Sequence, residues 1–595
     1  NLRGKASLPS SGSDGTLLGT SGQISNTAAP VTIISTDQTT AYKYVWIEAL
    51  AVGATGTPGG SPAFSYVLNV AIAELAFLSP AGTGTSAGVN VEILGPPLLY
   101  TAPVSTWRLG VYSDTTGYPT CGTYYEGRLW LGGAVANRFD ASVSNGIDGG
   151  TVNFAPTDQY GVVAASNAIS YTLNSDSSNP MFWMQGEEKG ITIGTQAGEF
   201  LVQAPTTGPL SPTNIAARRV TKIGCANIEP RRTEHTLAFV KRYSRKLMEF
   251  FSDVNFGKFS APNLADKAGH IVSAGIAEIA YTEAVTPVIW GRDADGALFG
   301  VTYKRDTLTT SQPPTFAGWH RHTLGSGRTV ESVCNGPSVD GNLDTLTMVT
   351  NDADTNVRHV ELLTDTPDEN AELADAWFLD NAVTPTSYTV SRAITTDYPY
   401  GNITLHGLWH LNGKTVQVFA AGLDCGDRGP GSTGFTDFVV SSGSLIIPFG
   451  DSVSWGPGRG LFTAEFVASI EITQIVVGFT YNSDGQLLRP MSPADSGARN
   501  GPAFAKLTRG HRWAMKVVNT LGISVGGDLT KKMYPANFTT EANKPIPQLT
   551  SYSGIVQDTL QDDYGYEGGA PAWRVSRPFP ATVVIVGTNL ATQDQ

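Results

Sequence analysis

The chain has 595 residues, a formal net charge of −13 and only 15% charged residues, and it is rich in glycine (66) and proline (35). That length exceeds what one hydrophobic core serves, so three or four units are expected. The acidic total argues against a surface built to grip nucleic acid along its phosphates, and no run of 18 uninterrupted apolar residues offers a membrane span.

Residues 1–40 are rich in Gly, Ser and Thr and read as an extended arm, without a recognisable signal peptide. Asn1 in place of Met implies that the native start is removed or not included. From 42 to about 101, strand-like runs such as 44–50 and 91–94 alternate with Gly/Pro-rich loops.

Between Trp107 and Leu363 a loose repeat of apolar strand, polar turn and apolar strand follows, beginning at 127–131. Its later members are 191–193 with 199–202, 237–240 with 247–251, 288–290 with 298–303, and 346–349 with 357–363. The first strands recur every 45 to 65 residues or so, about the length of a four-stranded propeller blade. An acidic stretch, 365–380, closes this region. Strands are then expected at 415–420, 444–447 and 472–479 and, past the loop 491–501, at 513–518 and 581–586. Helical periodicity is confined to 263–280 and 368–378. The fold expected is all-β: a β-propeller at 107–365, further β-rich domains at 1–106, 366–490 and 491–595, and few short helices.

Several motifs resemble sites and fail on context. Gly84-Thr85-Ser86-Ala87-Gly88 fits a nucleophile elbow, but strand-like 89–94 follows where a helix is required. Gly407 and Gly413-Lys414-Thr415 imitate a P-loop with five intervening residues instead of four, and a β-branched run follows. His320 and His322 share one strand face without a third ligand nearby in sequence. Asp352, Asp354 and Asn356 begin like a calcium loop, but Val357 replaces its glycine and Leu363 its bidentate Glu. Cys121, Cys225, Cys334 and Cys425 form no CxxC pair and are expected to be buried free thiols. No catalytic, cofactor-binding or metal residue is assigned.

One segment stands apart in charge. Arg218, Arg219, Lys222, Arg231, Arg232, Lys241, Arg242, Arg245 and Lys246 are interrupted only by Glu229 and Glu234. This is either a solvated face or a contact to a neighbouring subunit or ring, with Arg218, Arg219, Arg231, Arg232, Arg242 and Arg245 as the candidate contact residues.

A series of short segments resembles the nozzle (tail tubular protein B) family of short-tailed bacteriophages. Tyr124-Tyr125-Glu126-Gly127-Arg128-Leu129-Trp130-Leu131-Gly132-Gly133 is followed by Val143-Ser144 and Val152-Asn153-Phe154. Next come Ile193-Gly194-Thr195, Gly198-Glu199-Phe200 and Leu210-Ser211-Pro212-Thr213-Asn214. Ala317-Gly318-Trp319-His320-Arg321-His322 and His359-Val360-Glu361-Leu362 follow. The last are Phe378-Leu379-Asp380, Leu408-Trp409-His410-Leu411-Asn412-Gly413-Lys414-Thr415-Val416 and a weaker echo at Arg577-Pro578-Phe579-Pro580. The resemblance spans about 107–416, and residues 1–100 depart from it.

It implies a structural virion protein, not an enzyme and without a cofactor, made in the host cytoplasm. Six copies would form the tail nozzle below the portal and an adaptor ring, support fibres or spikes, and retain DNA and conduct it during ejection. Such a channel is expected to carry more acidic than basic side chains, because lysines on the wall would bind each passing phosphate. The stretch between His359 and Ser391 has no Lys or Arg and holds Asp365, Asp368, Glu369, Glu372, Asp375 and Asp380. The alternative is a glycan-binding or glycan-cleaving phage-tail propeller, for which 293–298 and 483–487 are faint Asp-box-like segments.

Overall fold

The computed structural model describes residues 112–114, 116–144, 153–157, 161–253, 258–284, 286–306, 314, 316–338, 341–363, 377–393, 401–421, 438–448, 470–489, 506–536, 551–560, 562–565 and 568–593, together with several short strands outside these ranges. The chain divides into two units, Asn1–Ile279 with Tyr303–Ala317, and Ala280–Thr302 with Gly318–Gln595.

In the first unit, Leu2–Lys5 pairs with Thr16–Gly19 and Tyr44–Ile47, and Val31–Ile34 with Gly88–Val91. Three four-stranded antiparallel meanders follow. The first contains Cys121–Tyr125, Arg128–Gly132, Arg138–Ala141 and Ile169–Thr172. Its opening hairpin turns through Glu126 and Gly127, both at positive φ (47° and 68°), the geometry that matches strand twist in a two-residue turn. Arg128 is buried, and its guanidinium donates to the carbonyls of Ser142, Asn167 and Ala165 at 2.7 Å, which ties the long loop to the sheet.

The second meander contains Met181–Glu187, Gly190–Thr195, Gly198–Gln203 and Ala216–Arg219. The third contains Arg231–Arg232, Leu237–Val240, Leu247–Ser252 and Phe259–Ser260. Gly190–Thr195 and Leu237–Val240 are buried at every position, so they appear in the sequence as apolar runs without alternation. Trp130, Phe139, Ile191 and Phe200 share one core, and Trp183, Phe239 and Phe250 another. A Cβ at Gly194 would sit 2.1 Å from the Trp183 ring, so only glycine lets the indole lie across this strand.

A fourth meander, Ile276–Thr282, Val288–Asp293, Leu298–Lys304 and Phe316–His322, carries the division between the units. The second unit continues with Thr329–Pro337, Asp344–Asp352 and Val357–Leu363. Among the described residues nothing pairs with the outer edge of Val357–Leu363, and its Val360 and Leu362 are 73% and 58% exposed. Next, Asp380–Val383, Ile475–Phe479 and Thr415–Ala420 form one sheet, and Ser387–Ser391, Asn402–His406 and Ser444–Pro448 another. These two sheets bury Ile403, Leu405, Val416, Val418, Leu445 and Val477 together. Last, Leu507–Thr520 lies between Tyr552–Thr559 and Thr582–Gln593, over a core of Trp513, Met515, Val517 and Val556.

The all-β expectation holds, but the propeller does not. The structure is a series of mostly three- and four-stranded antiparallel sheets, none closed into a barrel or propeller or strongly curled. A strand–turn–strand repeat follows from any chain of such meanders, and nothing in its period specifies radial closure.

No α-helix occurs among the described residues. The expected helix 263–280 is a set of turns followed by the strand Ile276–Thr282. Ala268 N–H reaches Ala265 O at 3.1 Å and Ile271 N–H reaches Ala268 O at 2.9 Å, separate three-residue closures that never join into a helical ladder. The other expected helix, 368–378, falls mostly outside the described residues. Of the cysteines, Cys225 is buried as expected, Cys121 is half-buried and Cys334 is exposed, all three free, while Cys425 lies outside the described residues.

Candidate interaction surface

The basic segment spans two neighbouring meanders of the first unit. Arg218 and Arg219 lie opposite Leu201 and Phe200 on an outer strand, so their side chains leave opposite faces. Three turns meet at one end of these sheets. A Cβ at Gly198 would stand 2.5 Å from Thr221 O and 3.4 Å from Lys222 Cα, and one at Gly224 would stand 2.1 Å from Gln196 O. Arg242 N–H donates to Gly224 O at 3.0 Å, which brings the 241–246 hairpin turn onto the same edge.

Arg231 and Arg232 lie elsewhere, opposite Ala238 and Leu237 at the far end of that hairpin. Arg231 Nε donates to Ile279 O at 2.9 Å and Nη1 pairs with Glu229 at 3.1 Å. Arg232 is exposed, and its charge partly offsets the burial that pushes Glu187 up to about 7. Arg219 pairs with Asp176 at 3.2 Å.

The six candidate residues therefore separate. Arg219 and Arg231 have partners in their own chain, whereas Arg218, Arg242 and Arg245 are exposed without an acidic partner among the described residues, as are Lys222 and Lys246. Sequence reasoning missed Tyr243, the centre of this turn. It is 83% exposed, with the Arg242 guanidinium 5.6 Å from its ring centroid. Tyr243 and Ser244 both adopt left-handed backbone, at φ 72° and 58°. The signal was a tyrosine in a turn flanked by arginines, where Gly or Asn is usual.

The site-like motifs are used for structure. Gly84–Ala87 lie outside the described residues, and the strand Gly88–Val91 follows. After Gly407 the chain makes the short turn Trp409–Leu411 and enters the strand Thr415–Ala420, with Lys414 held by Asp354 at 2.5 Å and Asp352 at 3.4 Å. The same two contacts account for the calcium-loop imitation: Asp352 and Asp354 sit at a hairpin turn closed by Asn356 N–H to Asp352 O at 2.7 Å. His320 and His322 hydrogen-bond each other at 2.7 Å beside Trp290. Burial and then the neighbouring His320 lower His322 to about 4, so it is neutral at physiological pH. Among the described residues no group of three metal-capable side chains occurs, and no helix is long and apolar enough to cross a membrane.

The 293–298 segment is a hairpin turn in which Asp293 Oδ1 accepts from Asp295 and Ala297 N–H at 3.0 and 2.8 Å. In 483–487, Asp484 forms a two-pronged pair with Arg574 at 2.6 and 2.7 Å.

Several buried polar clusters escaped the sequence, because their members are far apart along it. Glu249 is paired with the Arg305 guanidinium and accepts from Tyr303 Oη at 2.5 Å, all three buried, with Arg305 4.6 Å from the Phe251 ring. Glu199 is fully buried, and Thr221 Oγ1 donates to its Oε2 while its Oε1 has no partner. Burial drives its carboxyl up to about 7, against the backbone N–H groups of Ile223 and Gly224 and the charge of Lys241. Glu126 accepts Leu210 N–H at 2.7 Å, joining segments 84 residues apart.

In the second unit, polar residues far apart in the sequence also converge. Arg328, with a side chain 1% exposed, pairs with Glu361 and donates to Thr350 Oγ1 at 3.1 Å. The His359 and His410 rings lie 6.1 Å apart, and Asp380 accepts Gly325 N–H at 2.9 Å.

No family model and no curated protein matches this chain. Among solved structures, a luciferin-regenerating enzyme is similar at 12% identity over 42% of this chain and 92% of that one, with a TM-score of 0.18, too low to inform fold or function.

Proposed function

We propose that this chain is a structural subunit of a short-tailed phage tail nozzle, not an enzyme. Six copies stand below an adaptor ring, support fibres or spikes, and form a channel through which DNA leaves the virion. The observation that carries this reading is the ordered series of nozzle-like segments, whose charged and polar members hold the chain to itself. Glu126 joins Leu210, Glu361 joins Arg328, His359 lies beside His410, and Lys414 joins Asp352 and Asp354. Side chains bound in this way support rigid sheets.

Electron microscopy of virion tails labelled with an antibody to this chain tests the reading. A sixfold ring between adaptor and tail tip is expected, with acidic side chains outnumbering basic ones along its lumen. A dimer, a trimeric spike or a chain absent from the tail overturns it, as does release of sugars from purified capsular or lipopolysaccharide glycans.

A further inference from the structure

We infer that the hairpin tip at residues 242–246 docks on an acidic surface of a second copy of this chain. The inference rests on the structural-subunit reading for its setting, but its case comes from the tip itself.

Arg242, Tyr243, Arg245 and Lys246 are exposed, and no acidic group among the described residues pairs with the three cations. Tyrosine and arginine are the side chains that most often anchor interfaces, and here a guanidinium already lies against the exposed ring. The backbone beneath is unusual. Two successive residues other than glycine stand at left-handed φ, held by Ser244 N–H to Lys241 O at 3.0 Å and Ile276 N–H to Ser244 O at 2.6 Å. Such conformations persist where surrounding structure enforces them, and they often mark recognition sites. The tip is thus a presented element on a firm base.

Charge indicates the occupant. Residues 216–246 hold nine Lys or Arg and two Asp or Glu, a net of +7, while the whole chain is at −13, so the remaining 564 residues carry −20. A second copy offers the complementary field that the tip does not use within its own chain. Nucleic acid would also offer negative charge, but the acidic remainder repels a polyanion as a whole, whereas a protein contact engages the tip locally. Because tip and acidic surface are different patches, the contact is head-to-tail and propagates to a ring or a filament.

The test uses the full chain. Equal amounts of unlabelled and ¹⁵N-labelled protein are mixed, treated with a zero-length carbodiimide and mapped by mass spectrometry. Sedimentation is followed from about 50 to about 500 mM NaCl. We expect Lys246 joined to a carboxylate of the other isotopic copy, and association that weakens with salt. Arg242→Glu with Arg245→Glu should weaken association at least about tenfold with an unchanged melting curve. Arg242→Lys with Arg245→Lys should retain most of it. Wild-type protein that stays monomeric with only intrachain crosslinks overturns the inference, and so does a charge-reversed tip that associates normally. Displacement of the partner by a short DNA duplex, lost in the charge-reversed tip, would make the tip a nucleic-acid contact instead. Tip-dependent association in a protein absent from virions would keep this inference and remove the tail function; normal tails built from the charge-reversed chain would do the reverse.

Discussion

Glu199 is a fully buried carboxyl, and its pH dependence follows from that burial. Its folded value, about 7, lies above the ordinary 4.5, so the folded chain holds this proton more tightly than the unfolded chain does. The contribution to stability is complete below about 4.5, declines as pH rises, and is gone above about 7, a change on the order of 3 kcal/mol. Glu199→Gln, which keeps the shape and removes the titration, should melt higher than wild type at pH 8 and about equally at pH 4.5. Calorimetry at the two pH values checks this, and equal differences at both would refute it.

The buried Glu249–Arg305 pair makes a different contribution. Removing one partner leaves an uncompensated buried charge, so Arg305→Met should cost about 3–5 kcal/mol. The double change Glu249→Leu with Arg305→Met should recover much of that, read as urea midpoints. A double variant no more stable than the single one would show that Tyr303 and Thr236, which meet at 3.0 Å, need the carboxylate more than the pair needs itself.

At the scale of elements, Gly194 shows how a strand position can be fixed by a neighbour. Gly194→Ala forces its methyl into the Trp183 ring and should cost about 1–3 kcal/mol with a shift in tryptophan emission. Unchanged stability and emission would show that the indole has room to move. Much at this scale was legible in the sequence. Leu237–Val240, Val357–Leu363 and Thr415–Ala420 stand where the apolar runs placed them, because short runs between polar turns have few alternatives to strand. The 263–280 segment misled because its alanines and spaced apolar residues imitate helical periodicity, yet Asn263 Oδ1 accepts Ala265 N–H at 3.1 Å and starts a turn instead. Closure was not legible at all, since it depends on how one sheet's end meets another's, which local pattern does not encode. The basic segment was legible as charge. Its division into Arg231, whose side chain is held, and Arg242, whose side chain has no acidic partner among the described residues, was not, because Arg231 is bonded to Ile279 O on a strand 48 residues away.

For the whole molecule, several separate cores imply more than one cooperative unit. The cluster around Ile403 and Val477 and the cluster around Trp130 and Phe200 share no residue. Scanning calorimetry of the full chain should therefore give an enthalpy larger than the van't Hoff value, and a single two-state transition would refute separate units. The charge balance has a further effect at this scale: a run of nine cations at 216–246 within a chain of net charge −13 means that association through that run should slow as salt rises.

The uncovered margin of Val357–Leu363 has a practical consequence. A strand that shows Val360 and Leu362 to solvent, beside an edge that nothing among the described residues pairs with, is a template for unwanted cross-β growth. Concentrated preparations should gain thioflavin fluorescence on standing, seeded from this margin. Val360→Lys should act as a gatekeeper that lengthens the lag while leaving the melting temperature unchanged. A lag unaffected by that lysine would place the nucleus elsewhere, and the solubility of this protein would then have to be engineered at another sheet.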